Sequence, residues 1–125
     1  MTVTTSELRH IPLFRSLSDA QLGELPGWFY QDGWIRRNYK TDGWPTTLML
    51  VNAVGFVAEA ADHHPDLSVT WGRITVKLAT HSAGGITDKD FELARKIEEV
   101  ALWKPGEGGA LRGTQNKWVR GGDPR

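Results

Sequence analysis

Cysteine is absent from the 125-residue chain. That excludes disulfides, thiolate metal ligands, iron–sulfur clusters and a cysteine nucleophile. An excess of charge of either sign is also missing: fifteen Lys and Arg balance fifteen Asp and Glu. Zero net charge argues against direct nucleic-acid binding and against docking on an anionic membrane, because both draw on a basic excess or a basic patch. No run approaches the ~18 consecutive apolar residues of a membrane span. The opening MTVTTSELRH has no apolar stretch of the secretory-signal kind. No cysteine and no signal make the cytoplasm the expected location. What remains is ordinary for a globular protein: 39% hydrophobic and 24% charged residues, a balance that a disordered chain does not have. The length suits one domain, able to bury roughly two thirds of its unfolded surface.

Residues 18–25 read as a short helix, with Ser18 as N-cap, Gln21 at the capping-box spacing and Pro26 closing it. Strands follow near 28–30 and over 34–41, with Asp32-Gly33 as the hairpin signal between them. In the second strand Ile35 and Tyr39 share one face, and Arg36, Asn38 and Lys40 the other. Gly43 breaks the chain, and a helix over 44–61 starts with Pro45 in its first turn. Between Trp44 and Ala58 this helix has no charged side chain. Leu48, Met49, Leu50, Val51, Val54, Phe56 and Val57 surround it, so it must be buried on more than one face. A single sheet covers one face. The other needs either a terminal segment or a second copy of the chain, and the second copy is the reading adopted: a homo-oligomer, dimer or tetramer, built through helix 44–61.

Leu67, Val69 and Trp71 alternate with polar residues, as do Ile74, Val76, Leu78 and Thr80, with Gly72-Arg73 as the expected turn. Thr87 opens a last amphipathic helix to about residue 102, with Phe91, Ala94, Ile97 and Ala101 on its apolar stripe. The order α-β-β-α-β-β-α predicts an α+β domain, a four-stranded antiparallel sheet with three helices on one face. This domain is expected over 1–102. Residues 103–125 form a Gly-rich extension that composition alone reads as irregular.

Three of the four histidines fall between positions 63 and 81. His63 and His64 are adjacent, and in extended chain neighbours point opposite ways. Pro65 pushes His64 out of the helical region, so the pair marks the exit of helix 44–61. His81 ends a strand. Unperturbed imidazole titrates near pH 6.5, which suits it to general acid and general base roles. A three-histidine metal site fits no common ligand spacing here. Glu59, one turn before His63, could orient a histidine or face water. Asp90, three residues after Thr87, could be catalytic or a helix cap. Trp71 could stack on a flat ligand. No P-loop and no nucleophile elbow is present.

The run Glu59-x3-His63-His64-Pro65, with Trp71, His81 and Asp90 following at fixed intervals, resembles the signature of the pterin-4a-carbinolamine dehydratases. The stretch ADHHPDLSVTWGRITVKLATHSAGGITDKDFELARKIE is similar to that family throughout. With the preceding helix, the resemblance covers about residues 25–101. It implies an α+β fold of four antiparallel strands and three helices, and assembly through the long helix. The reaction it implies is loss of water from a 4a-hydroxytetrahydropterin to give the quinonoid dihydropterin, recycling a tetrahydrobiopterin-type cofactor with no metal and no added cofactor. His63 and His81 would be the acid/base pair and His64 would help position the pterin. Asp62, Thr80 and Ser82, with Trp71 as an aromatic wall, would line the site, and Glu59 and Asp90 would support it. The alternative implied by the same fold is a non-catalytic interaction module, coactivator-like or a protein-assembly factor.

Overall fold

The computed structural model describes residues 19–114 and 118–124. Helical residues 19–23 (α1) open the described chain; the expected Ser18 cap lies outside it. The hairpin β1 (Phe29–Gln31) and β2 (Trp34–Thr41) follows, then α2 (Trp44–Ala61), then the hairpin β3 (Asp66–Thr70) and β4 (Arg73–Leu78), then α3 (Asp88–Ala101). A short strand, β5 (Val119–Gly121), ends it. The sheet is antiparallel in the order β1-β2-β4-β3, the α+β layout expected from the element order.

Alternation along the strands builds the core. Ile35 and Tyr39 of β2, and Ile74, Val76 and Leu78 of β4, point to the helices and are fully buried. Leu50, Val54 and Ala58 of α2 and Phe91, Ala94 and Ile97 of α3 meet them. Val54 therefore belongs to the core, while Leu48, Met49 and Phe56 remain exposed on the other side of α2, Phe56 by 75%. The apolar surface of α2 is thus only half used within one chain.

Two details depart from the sequence reading. The β3–β4 turn is Trp71-Gly72, not Gly72-Arg73, since Thr70 pairs with Arg73. The fifth strand comes from the Gly-rich extension. β5 pairs with Tyr39, Lys40 and Thr41 on the edge of β2 that β1 leaves open. Gly122 N–H donates to the Asn38 carbonyl at 2.8 Å, and the Asn38 amide donates to the Asp123 carbonyl at 2.8 Å. An alternating pattern of three residues is too short to read as a strand, but the partner edge supplies unpaired backbone groups that it satisfies.

The extension also closes over a buried polar cluster. Arg37 of β2 points into the helix side and makes two bonds of 3.0 Å to the Glu98 carboxylate of α3. The Trp28 indole N–H donates to Glu98 at 2.9 Å, and the Tyr39 hydroxyl donates to the same carboxylate at 2.6 Å. Burial opposes the charge on Arg37, but the Glu98 carboxylate outweighs it and holds the guanidinium above its ordinary pKa. Burial, then the Glu98 carboxylate, push the Tyr39 hydroxyl far above the usual phenol range. A Cβ on Gly27 or Gly121 would collide with the guanidinium, so these two glycines form the slot in which Arg37 lies.

Candidate active site

Helix α2 ends at Asp62, whose left-handed backbone (φ 52°, ψ 40°) turns its N–H back to the Ala58 and Glu59 carbonyls. Aspartate tolerates this conformation better than most residues. The turn sends the next two side chains apart, as extended neighbours must go. His63 points inward and its Nε2 lies 2.6 Å from Asp90 Oδ1. His64 points outward and its Nε2 lies 2.8 Å from Glu59 Oε1 on the exposed surface. Glu59 thus orients His64, not the histidine one turn after it.

Asp90 is fully buried and its carboxylate is saturated. Oδ1 faces His63, while Oδ2 accepts from the Thr80 hydroxyl at 2.8 Å and from the Thr87 N–H at 2.9 Å. The bond from Thr87 N–H is half of a capping box that starts α3. The cap and the histidine partner are therefore one residue, and the two readings of Asp90 do not compete. When the carboxylate only accepts, Nε2 of His63 is the donor of this bond and Nδ1 is the ring's other nitrogen. A carboxylate behind a histidine fixes its tautomer and ring orientation in this way.

Thr80 connects this pair to His81. Its hydroxyl lies 2.7 Å from that of Thr87, and its backbone bridges Gly85 in both directions, at 2.9 and 3.3 Å. The bracket encloses a turn over His81–Ala83, closed by Gly84 at φ 71°. His81 and Ser82 are exposed on that turn. The His81 ring meets Trp34 edge-on, with centroids 5.3 Å apart, and Lys77 Nζ sits 4.8 Å from the Trp34 ring.

Asp62 and His63 line a groove of about 560 Å³ between the end of α2 and the start of α3, together with Phe56, Val57, Lys89 and Leu93. That volume is within the range of small-molecule sites. Among the described residues, no three of His, Asp and Glu are placed to share a metal ion.

The structure brings Asp62, His63, Thr80, His81, Ser82 and Asp90 to one end of the domain, with Glu59 and His64 on its outer rim. It does not bring Trp71 there. The Trp71 carbonyl accepts from Thr47 at 2.9 Å, and its ring lies against Gly43. Both partners are at the start of α2, and the 18-residue helix puts about 27 Å between its two ends. The aromatic beside a site histidine is instead Trp34. Only the β2–β4 register, with Ile35 opposite Leu78, places it there, and a single sequence carries no register. Thr87, read as a helix opener alone, also belongs to the site through Thr80 and Asp90.

Comparison with known proteins places the chain in a family. Residues 12–100 match the family model described as pterin 4 alpha carbinolamine dehydratase. A protein of Roseiflexus sp. (strain RS-1), provisionally named a pterin-4-alpha-carbinolamine dehydratase, is 46% identical over 88 residues, 67% of this chain and 95% of the relative. An Aquifex aeolicus protein with the same provisional name is 42% identical over 92 residues, 70% of this chain and 93% of its own. A crystal structure from Brucella melitensis, described as a transcriptional coactivator/pterin dehydratase, superposes with a TM-score of 0.65 at 34% identity, covering 69% of this chain and 94% of that one. The chain belongs to the pterin 4 alpha carbinolamine dehydratase family.

Proposed function

We propose that the chain is a hydro-lyase that removes water from a 4a-hydroxytetrahydropterin to give the quinonoid dihydropterin, by histidine acid/base catalysis. The observation that carries this reading is His63 at 2.6 Å from the buried Asp90, on the wall of a ligand-sized groove, in a member of this family. The chemistry needs two proton transfers. The 4a-hydroxyl must be protonated to depart as water, and the proton on N5 must be accepted as the C4a–N5 double bond forms. One histidine of the pair His63 and His81 supplies the first transfer and the other the second, each worth about 10²–10⁴ in rate. Thr80, fixed by Asp90, sets where His81 emerges. His64, Asp62 and Ser82 surround the pterin, and no metal or added cofactor takes part.

Stopped-flow dehydration of a freshly generated 4a-hydroxytetrahydropterin tests this. Wild type is expected to exceed buffer, and His63→Ala and His81→Ala each to lose at least about a hundredfold, with a melting temperature near wild type for the exposed His81 and a lower one for His63, whose loss leaves Asp90 Oδ1 without its partner. A wild type no faster than buffer overturns the reaction. Variants that match the wild type overturn the assignment of the pair.

The exposed half of α2 supports assembly as a homo-oligomer. Leu48, Met49 and Phe56 line a face with no charged side chain before Glu59 in the last turns of the helix, the kind of surface that a second copy covers. Phe56→Asp is expected to lower the solution mass to that of the monomer in sedimentation.

A further inference from the structure

The zero net charge hides an uneven distribution. Helix α3 carries five carboxylates and three cations, Lys89, Arg95 and Lys96, whereas the sheet face turned away from the helices is basic. Register and alternation place Arg36 and Lys40 of β2 and Arg73 and Lys77 of β4 on that face. Arg36 stands directly opposite Lys77, and Lys40 directly opposite Arg73. Arg120 of β5 stands opposite Lys40 on its other side. Like charges in opposed positions cost a sheet stability, and three such pairs lie on this one face. Among the residues of β2, β3 and β4 on this face the one acidic side chain is Asp66, opposite Lys77, and Asp123 of the extension lies against Asn38. Among the described residues, no carboxylate is within ion-pair distance of Arg36, Lys40, Arg73 or Lys77.

We propose that this sheet face, which no helix covers, binds single-stranded nucleic acid, with Arg36, Lys40, Arg73 and Lys77 on its phosphates. The two opposed cation pairs are four residues apart along their strands, about 13 Å, so they engage separate phosphates of one strand. Between them Thr75 and Ser68 are polar, and Asn38 is buried beneath the Asp123 carbonyl to which its amide donates. Phe29, opposite Arg36, and Trp34 share the face at one end. Aromatic side chains beside a basic track stack unpaired bases. A duplex keeps its bases stacked inside and has no use for them, which is why a single strand is favoured. A lipid surface is less suited, because Arg36, Arg73 and Lys77 are half-buried between the strands.

The test is fluorescence anisotropy of an end-labelled oligothymidylate of about 20 nucleotides with the full chain over a range of salt. Parallel arms use the same length of DNA duplex and vesicles of phosphatidylcholine and phosphatidylserine. The expected Kd at low salt is about 10⁻⁵ M. The slope of log affinity against log salt is expected near −2.8, or about −0.7 per phosphate engaged. In the double variant Lys40→Ala/Arg73→Ala the slope is expected to fall to about −1.4 and affinity about tenfold. Its melting temperature should be no lower than wild type, because the loss removes like-charge pairs. Arg95→Ala/Lys104→Ala, away from this face, should bind as wild type does. No saturable binding by the wild type overturns the proposal. So does unchanged affinity in Lys40→Ala/Arg73→Ala, an equal loss in Arg95→Ala/Lys104→Ala, or tighter binding to duplex or vesicles than to the single strand.

Discussion

Helix α3 carries two carboxylates on its buried side, two turns apart, and each gathers the polar groups around it. Asp90 collects His63, Thr80 and the Thr87 N–H. Glu98 collects Trp28, Arg37 and Tyr39. Both are saturated, so saturation does not tell a site from a scaffold. The partners do. Arg37 stays charged and Tyr39 stays neutral across the physiological range, so the Glu98 cluster has no proton to exchange. Around Asp90 the partner is an imidazole that can exchange one, and its outer side faces a groove. The same helix therefore anchors a static clamp at one end and a proton-handling group at the other.

The comparison breaks most visibly at Glu98. Glu98→Ala leaves the buried guanidinium of Arg37 without its counter-charge, and is expected to cost about 3–5 kcal/mol in chemical denaturation. Turnover per folded molecule should stay close to wild type. Asp90→Asn is expected to show the opposite balance, a loss of 10- to 100-fold in kcat for about 1–2 kcal/mol of stability, since asparagine still caps α3. If both variants lose stability and turnover in the same proportion, the division between clamp and site is wrong.

Tyr39→Phe sharpens the clamp side. The folded state holds the Tyr39 proton far beyond the range in which an unfolded tyrosine, with a pKa of about 10, releases it. The unfolded chain therefore binds fewer protons as pH rises past about 10, and stability falls there. The native bond is worth about 1–2 kcal/mol near neutrality. Tyr39→Phe should lose that amount and show a shallower alkaline decline in pH-dependent melts. The smallest effect belongs to Glu59. Its contact with His64 is solvent-exposed, so Glu59→Gln should shift the unfolding free energy by less than about 0.5 kcal/mol. A larger shift would place Glu59 within the folded framework.

Much of the fold is legible in local pattern. Strand β2 and helix α2 span the residues that alternation, Gly43 and Pro45 mark, because those signals lie in contiguous chain. The opposed directions of His63 and His64 also follow from their adjacency ahead of Pro65. What local pattern does not contain is pairing. Trp71 looked suited to the site because it is near the histidines in sequence, yet it sits at the far end of α2, and Trp34 reaches His81 through register instead. Strand β5 eluded the reading for the same reason, since Val-Arg-Gly gains its meaning only beside Tyr39. Arg37 was equally opaque: on periodicity it belongs with Ile35 and Tyr39, and only the Glu98 carboxylate explains a charge in that row.

The fifth strand has a consequence for how the chain is made. Asn38 and Asp123, which it brings together, are 85 residues apart. At about 5–20 residues per second, the ribosome delivers the second of them some 4–17 s after the first. Residues 39–100 of the family core are made during that interval, and until it ends the outer edge of β2 from Asn38 to Thr41 has no partner of its own. A nascent chain in a crowded polysome offers that edge to its neighbours, each with the same bare strand, until its own β5 arrives to claim it.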